Sequence, residues 1–148
     1  MSTFTQGPQA SNYSIGNFDI SKIFLRNNRY QQGNDLNNST YDPLVLPGGT
    51  LMGRVVNTGT LAPVNTAASD GTQYPVGVLA QDISLAAGAT KAVTIVDMGD
   101  VAEDGIVFIY SGQGLETAVS GRRMRDLIEA QGIKLITRTE MTQVDPNQ

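Results

Sequence analysis

The chain has 148 residues, contains neither cysteine nor histidine, and carries ten basic and fourteen acidic residues, for a formal net charge of −4. This length fits one domain that can bury a core without metals or disulfides. The missing residue types exclude thiolate zinc sites, thiol catalysis and disulfide bonds, and they remove the commonest general base. The acidic balance argues against direct nucleic-acid binding. We therefore expect a non-enzymatic protein with no catalytic residues, no metal and no cofactor.

The N-terminus carries no targeting signal that we recognise. Residues 1–14 lack the basic and apolar regions of a secretory signal peptide. The longest apolar runs are about six residues, far below the roughly 20 that a membrane helix needs. We expect no membrane partner and a protein that is made soluble and stays soluble.

Residues 1–43 differ in composition from the rest of the chain, being rich in Asn, Gln, Ser and Tyr. They contain one apolar island, in which alternation with polar residues gives way to a continuous apolar run. Such an island cannot bury itself within a polar segment. We interpret residues 1–43 as an extended N-terminal arm; the alternative, that the island packs back onto its own domain, stays open. The apolar residues of the island are Phe18, Ile20, Ile23, Phe24 and Leu25.

Residues 44–148 have the pattern of a compact β-rich domain. Apolar runs bounded by turn residues predict strands over 50–56, 61–64, 76–83, 91–98, 106–110 and 133–141. Loops are predicted at 57–59, at 67–74 around Asp70-Gly71, and at 84–90. Apolar spacing predicts one helix over Arg122–Ala130, with Ser120 as its N-cap and Gly132 as its stop. Because helices do not alternate with strands, we expect a mainly β, antiparallel barrel or sandwich with one C-terminal helix.

An acidic group follows the predicted strand at 91–98. Carboxylates suit calcium or magnesium, but the spacing does not match a calcium-binding loop. A strand end followed by a solvated turn explains these residues without a metal. The group consists of Asp97, Asp100, Glu103 and Asp104.

Two further motifs have similarly simple interpretations. Asp70 could form a small anion or metal pocket with its polar neighbours, but side chains of this kind commonly hydrogen-bond their own turns. Gly112-Gln113-Gly114 resembles the start of a phosphate-binding loop. It lacks the third glycine, since position 117 is threonine, and no Lys-Ser/Thr pair follows.

Three arginines, Arg122, Arg123 and Arg125, occupy the predicted first turn of the helix, where the helix dipole disfavours cations. The predicted pairs with Asp126 and Glu129 have the weaker orientation, with the basic residue first. Carboxylates on a partner surface would explain this arrangement, because arginine is enriched at interfaces. The alternative is that the arginines are solvated or reach acidic neighbours in the same chain.

Several of these segments, in this order, resemble the lambda-type head decoration proteins of tailed phages. The distinctive part is D-G-T followed by V-G-V-L, at residues 70–72 and 76–79. The resemblance covers residues 48–137, while the N-terminal segment is longer than that family's arm. The segments are Gly49–Gly53, Pro63, Ala67–Ile83, Ala92–Val101, the predicted helix and Gly132–Ile136.

The resemblance implies a β-clip-like domain that assembles as a homotrimer on the outer surface of the expanded phage head. In that family the N-terminal arm adds a strand to the major capsid protein, and no catalytic residues are present. By this analogy the apolar island supplies the anchors of the arm. A chain lacking residues 1–43 would then remain a folded trimer but would no longer bind capsids.

Two other functions stay open from the sequence. The chain could be another virion interaction protein, such as a tail or fibre-base component or a glycan-binding surface module. The absence of tryptophan, and the scarcity of aromatic residues in the second half of the chain, disfavour a sugar site. A nucleotide hydrolase on a related scaffold would need a set of phosphate-binding residues that we cannot assemble from this sequence.

Overall fold

The computed structural model describes residues 23–38 and 41–137. Within these ranges the chain forms ten strands, a 3-10 turn at Glu103–Gly105 and the helix α1, Met124–Gln131. The strands are β1 Phe24–Asn37, β2 Leu44–Leu46, β3 Leu51–Arg54, β4 Leu61–Pro63, β5 Pro75–Leu79, β6 Ile83–Leu85, β7 Thr90–Ala102, β8 Ala118–Val119, β9 Arg122–Arg123 and β10 Ile133–Ile136. The predicted tail at 142–148, and the end of the predicted closing strand, lie outside the described residues.

Five strands close into a barrel in the order β7, β1, β4, β3, β5, with β5 pairing back onto β7. Strand β10 pairs with β7 on the same edge as β5 does. It runs parallel to β7, with Ile133 opposite Gly99. The contact between β1 and β4 is also parallel, and the other pairings are antiparallel. The predicted class, a mainly β barrel with a late helix, is confirmed.

The N-terminal segment differs from the expected arm over residues 1–43. Strand β1 pairs with β7 along its length, from Phe24 opposite Val101 to Asn37 opposite Thr90. Ile23, Phe24 and Leu36 are almost fully buried. Between Phe24 and Leu36 the strand is mostly polar, and every residue there is exposed or half-buried. The strand therefore shows no apolar periodicity. Main-chain hydrogen bonds to β7 hold this part of the strand, and side-chain patterns do not reveal such bonds.

The interior consists of two apolar clusters. One lies between the barrel and α1, which contributes Met124 and Ile128, one helical turn apart and both fully buried. The other fills the barrel beneath β2 and β6. The second cluster comprises Leu36, Leu46, Met52, Leu61, Leu79, Ile83, Leu85, Val93 and Ile95.

Most of the predicted strands are present, with shifted ends. The hairpin of β3 and β4 follows the prediction, and β7 extends the predicted strand 91–98 at both ends. The predicted loop 84–90 begins inside β6, which pairs antiparallel with β2 and leaves Leu46 opposite Ile83. The signals for this pairing were the continuous apolar run Leu44–Leu46 and the apolar-polar alternation of Ile83–Leu85.

The prediction of a strand over residues 106–110 is wrong. Only Val107 makes a ladder contact, an isolated bridge to Thr50. Its N–H donates to the Gly49 carbonyl at 2.9 Å, and its carbonyl accepts from the Leu51 N–H at 3.0 Å. The chain can cross here because Gly49, at φ 98°, has no Cβ that would collide with the Gly105 carbonyl.

The start of the helix is also corrected. Arg122 and Arg123 form β9, which pairs with β8, and Ser120, with φ 52°, lies in the turn between them. The N-cap is Arg123 and makes no side-chain cap hydrogen bond. Carbonyls of the preceding loop accept the first helical N–H groups instead. The predicted stop is confirmed, since Gly132 at φ 115° ends the helix and donates to the Glu129 carbonyl.

Candidate functional site

The five predicted arm anchors fall into two groups. Phe18 and Ile20 lie outside the described residues. Ile23 and Phe24 are 4% and 6% exposed and belong to the cluster beneath the helix, and Leu25 is half-buried. Two of the five side chains are therefore part of the protein's own core.

Two of the three predicted interface arginines are paired within the chain. Arg125 donates from Nη1 to Glu103 Oε1 at 2.7 Å and from Nε to Glu116 Oε2 at 2.9 Å. Arg123 donates to Glu116 and to Asp126, both at 3.1 Å. We call these five residues the arginine cluster. Acidic neighbours in the same chain, the alternative considered above, thus account for Arg123 and Arg125.

The predicted pairs of Arg122 with Asp126 and of Arg125 with Glu129 do not form. Arg122 lies on the short strand β9 and is exposed, and it forms no ion pair among the residues described. Asp126 pairs with Arg123 instead, because the helix begins two residues later than predicted.

The arginine cluster joins three segments: the 3-10 turn after β7, the loop that follows it, and the start of α1. The hydrogen bond from Arg125 lowers the pKa of Glu103, and it outweighs the opposing effect of burial. The same contacts raise the pKa of Arg125. Backbone bonds reinforce this junction, since the Met124 and Arg125 N–H groups donate to the Thr117 and Leu115 carbonyls, both at 2.8 Å. The cluster therefore clamps the loop onto the helix N-terminus.

Three of the four residues in the predicted acidic group, Asp97, Asp100 and Glu103, pair with arginines. Asp97 is 4% exposed and accepts two hydrogen bonds of 2.9 Å from Arg29. That pair lowers the pKa of Asp97, mainly through the hydrogen bond, against the opposing effect of burial. Asp100 pairs with Arg26 at 3.2 Å. In the described part of the chain no three acidic residues come together as a metal site would require.

The other two motifs serve the loops that contain them. Asp70 Oδ1 accepts from the Thr72 N–H at 3.1 Å and from its hydroxyl at 2.6 Å, and the hydroxyl bond is the main cause of a lowered Asp70 pKa. Gln113 accepts from the Thr66 N–H at 3.0 Å and donates to Asn65 Oδ1 at 3.1 Å. The glycine-rich segment thus fastens one loop to another.

Three loops together form an exposed surface that the sequence did not indicate. They are 55–60, 65–74 and 108–114, and we call them the three-loop surface. Four of their large apolar side chains are exposed. Two of them, Ile109 and Tyr110, had been predicted to lie in a strand over residues 106–110. The turn residues Ser111 and Gly112, which follow directly, were the signal for a loop. The four are Val56 at 75%, Tyr74 at 41%, Ile109 at 37% and Tyr110 at 43% exposure.

Within the described ranges, no helix is both long enough and apolar enough to cross a membrane.

Comparison with known proteins identifies the family. The family model of the bacteriophage lambda head decoration protein D matches residues 38–118, which is more than half of the chain. The chain belongs to this family. The predicted resemblance is thereby confirmed, and the family consists of structural proteins of the phage capsid. The match begins directly after β1 and ends at the first residue of β8, so β1, β9, α1 and β10 lie outside it. No curated protein matches the chain significantly.

Proposed function

We propose that this chain decorates the outer surface of the expanded phage head as a homotrimer, binds the major capsid protein there and stabilises the shell. The family match over residues 38–118 carries this proposal. The proposed role needs no catalytic residue or cofactor, in keeping with a sequence that has no histidine or cysteine.

Stabilisation by such a protein follows from mass action. A protein that binds only the expanded lattice stabilises that state by RT ln(1 + [L]/Kd), about 2.7 kcal/mol per site at a hundredfold excess over Kd. Three linked chains bind more tightly than one, because the first contact raises the effective concentration of the others. No single contact needs to be strong.

The capsid contact is best placed in the segment before Ile23. Ile23 and Phe24 are used by the protein's own core and cannot also anchor a capsid strand without opening the barrel. Phe18 and Ile20 alternate with Asp19 and Ser21. In a strand added to a sheet edge, this alternation puts both apolar side chains on one face, where pockets can receive them.

Of the three arginines first considered for an interface, Arg122 is the one we propose to face a partner carboxylate. It is exposed and forms no ion pair within the described residues, whereas Arg123 and Arg125 already share acidic partners.

The test compares full-length variants for binding to expanded heads that lack decoration protein. We expect Phe18→Ser combined with Ile20→Ser to reduce binding more than tenfold in a sedimentation assay, because both anchors are removed. The matched control is Asp19→Asn with Ser21→Ala, which alters the alternate positions and should bind like the parent. Full occupancy by the first variant would disprove the anchor role. Binding of the parent protein to tails but not to heads would disprove head decoration.

A further inference from the structure

The three-loop surface is held together by hydrogen bonds between its loops. The Val56 N–H donates to the Asp70 carbonyl at 2.8 Å, which joins the first loop to the second. Gln113 joins the second to the third through Asn65 and Thr66. A surface already ordered in the free protein loses little conformational entropy when it binds.

The composition of this surface is that of a protein interface. Asp70 is the only charged residue in the three loops, and it is hydrogen-bonded back to Thr72. Arg54, which approaches from β3, donates to the Gly59 carbonyl at 2.7 Å and to Asn34 Oδ1 at 2.9 Å. The remaining residues are apolar, aromatic, or small and polar. Depletion of charge with retention of aromatic side chains distinguishes interface cores from ordinary surface.

A surface with little charge also favours self-association around a rotation axis. Groups close to the axis face their own symmetry copies, so like charges repel one another. Three other surfaces carry more charge. The outer face of β1 and β7 carries Arg26 and Arg29, and the surface beside β2 and β6 carries two aspartates, Asp42 and Asp82. The start of α1 carries the arginine cluster.

We infer that the three-loop surface is where copies of this chain meet around the three-fold axis. This inference rests on the trimer proposed above and assigns the surface that holds it together. Ile109 and Tyr110 are the central contacts, because they are adjacent and project from a loop that is fixed at Gln113 and clamped by the arginine cluster.

The test measures the solution mass of full-length protein by light scattering, alongside binding to expanded heads. The parent should have a mass near three times 15.8 kDa. Ile109→Lys with Tyr110→Lys should shift the mass to one chain, because six cations would meet around the axis. Both side chains are partly exposed, and circular dichroism establishes whether the variant is folded; Tyr110→Ser, which adds no charge, should weaken the trimer in the same direction. The matched control, Val45→Lys, changes an exposed side chain on β2 and should remain a trimer.

Other outcomes separate this inference from the proposed function. A double variant that stays trimeric would overturn the inference, and if it also failed to bind heads, the surface would face the capsid instead. A parent protein that is monomeric at all concentrations would likewise overturn it. The parent could instead be a trimer that does not bind heads, while the double variant is a monomer. In that case the inference stands and the decoration proposal fails.

Discussion

The pair formed by Asp97 and Arg29 joins a buried carboxylate to an exposed guanidinium. Asp97 has a side-chain exposure of 5%, and Arg29 of 61%. Removing Arg29 would leave a negative charge in the barrel wall with no partner, which costs more than removing a solvated pair. The pair Arg26 with Asp100 is the natural comparison, because Arg26 is 72% exposed and lies on the same strand.

We predict that Arg29→Ala destabilises the protein clearly more than Arg26→Ala, whose cost should stay within about 1 kcal/mol. The folded-state pKa of Asp97 is lowered, so its stabilising effect is fully present above the unfolded pKa near ~3.9 and is lost as the pH falls through the folded value. Thermal unfolding from pH 7 to pH 2 should show the difference between parent and Arg29→Ala shrinking in acid. Equal losses for both variants at pH 7 would contradict this account.

At the scale of elements, the start of α1 depends on a loop rather than on a capping side chain. The first helical N–H groups donate to the Leu115 and Thr117 carbonyls. Arg125 binds Glu103, which precedes that loop, and Glu116, which lies within it. Ser120 was predicted as the cap, but it turns the β8–β9 hairpin instead. The helix and the loop therefore stabilise each other.

We predict that Arg125→Gln costs about 1–2 kcal/mol and exposes residues 106–117 to proteases, because it removes charge-assisted bonds from a side chain that is 25% exposed. Arg122→Gln, on the neighbouring strand, should change stability by less than about 0.5 kcal/mol. Urea denaturation and limited proteolysis measure the two effects. High salt should reduce the difference between parent and Arg125→Gln; a difference that is unchanged in 1 M salt would indicate packing rather than charge.

At the scale of the whole molecule, β1 determines how many N-terminal residues can be deleted without loss of the fold. Phe24 and Leu36 lie at the two ends of this strand, and Ile23 precedes it. Each is buried, and burial of such a side chain contributes roughly 1.5–3 kcal/mol. The sum is comparable to the total stability of a small domain, about 5–15 kcal/mol.

We therefore predict that a chain beginning at Ile23 folds and that a chain beginning at residue 44 does not. The second deletion removes one of the five barrel strands and leaves one edge of β7 unpaired along its length. Circular dichroism and thermal unfolding of the two truncated chains provide the measurement. This replaces the expectation that deleting residues 1–43 leaves a folded trimer. Cooperative unfolding of the shorter chain would show that β1 is dispensable.

The sequence determined the features that depend on local pattern or on missing residue types. Apolar runs bounded by turn residues located β3, β4, β5 and most of β7. Gly132 marked the helix end because a left-handed residue is needed there. The absence of histidine and cysteine limited the chemistry, and the order of D-G-T and V-G-V-L pointed to the family.

Only the tertiary structure decided which segments share a neighbour. Strand β1 is held by backbone hydrogen bonds to β7, which lies more than fifty residues later in the chain. Its mostly polar side chains show no periodicity from which a strand could be predicted. The acids paired with Arg29 and Arg125 also lie on other segments. A local sequence pattern indicates whether a side chain will be buried. It cannot identify a contact partner that lies far away in the sequence.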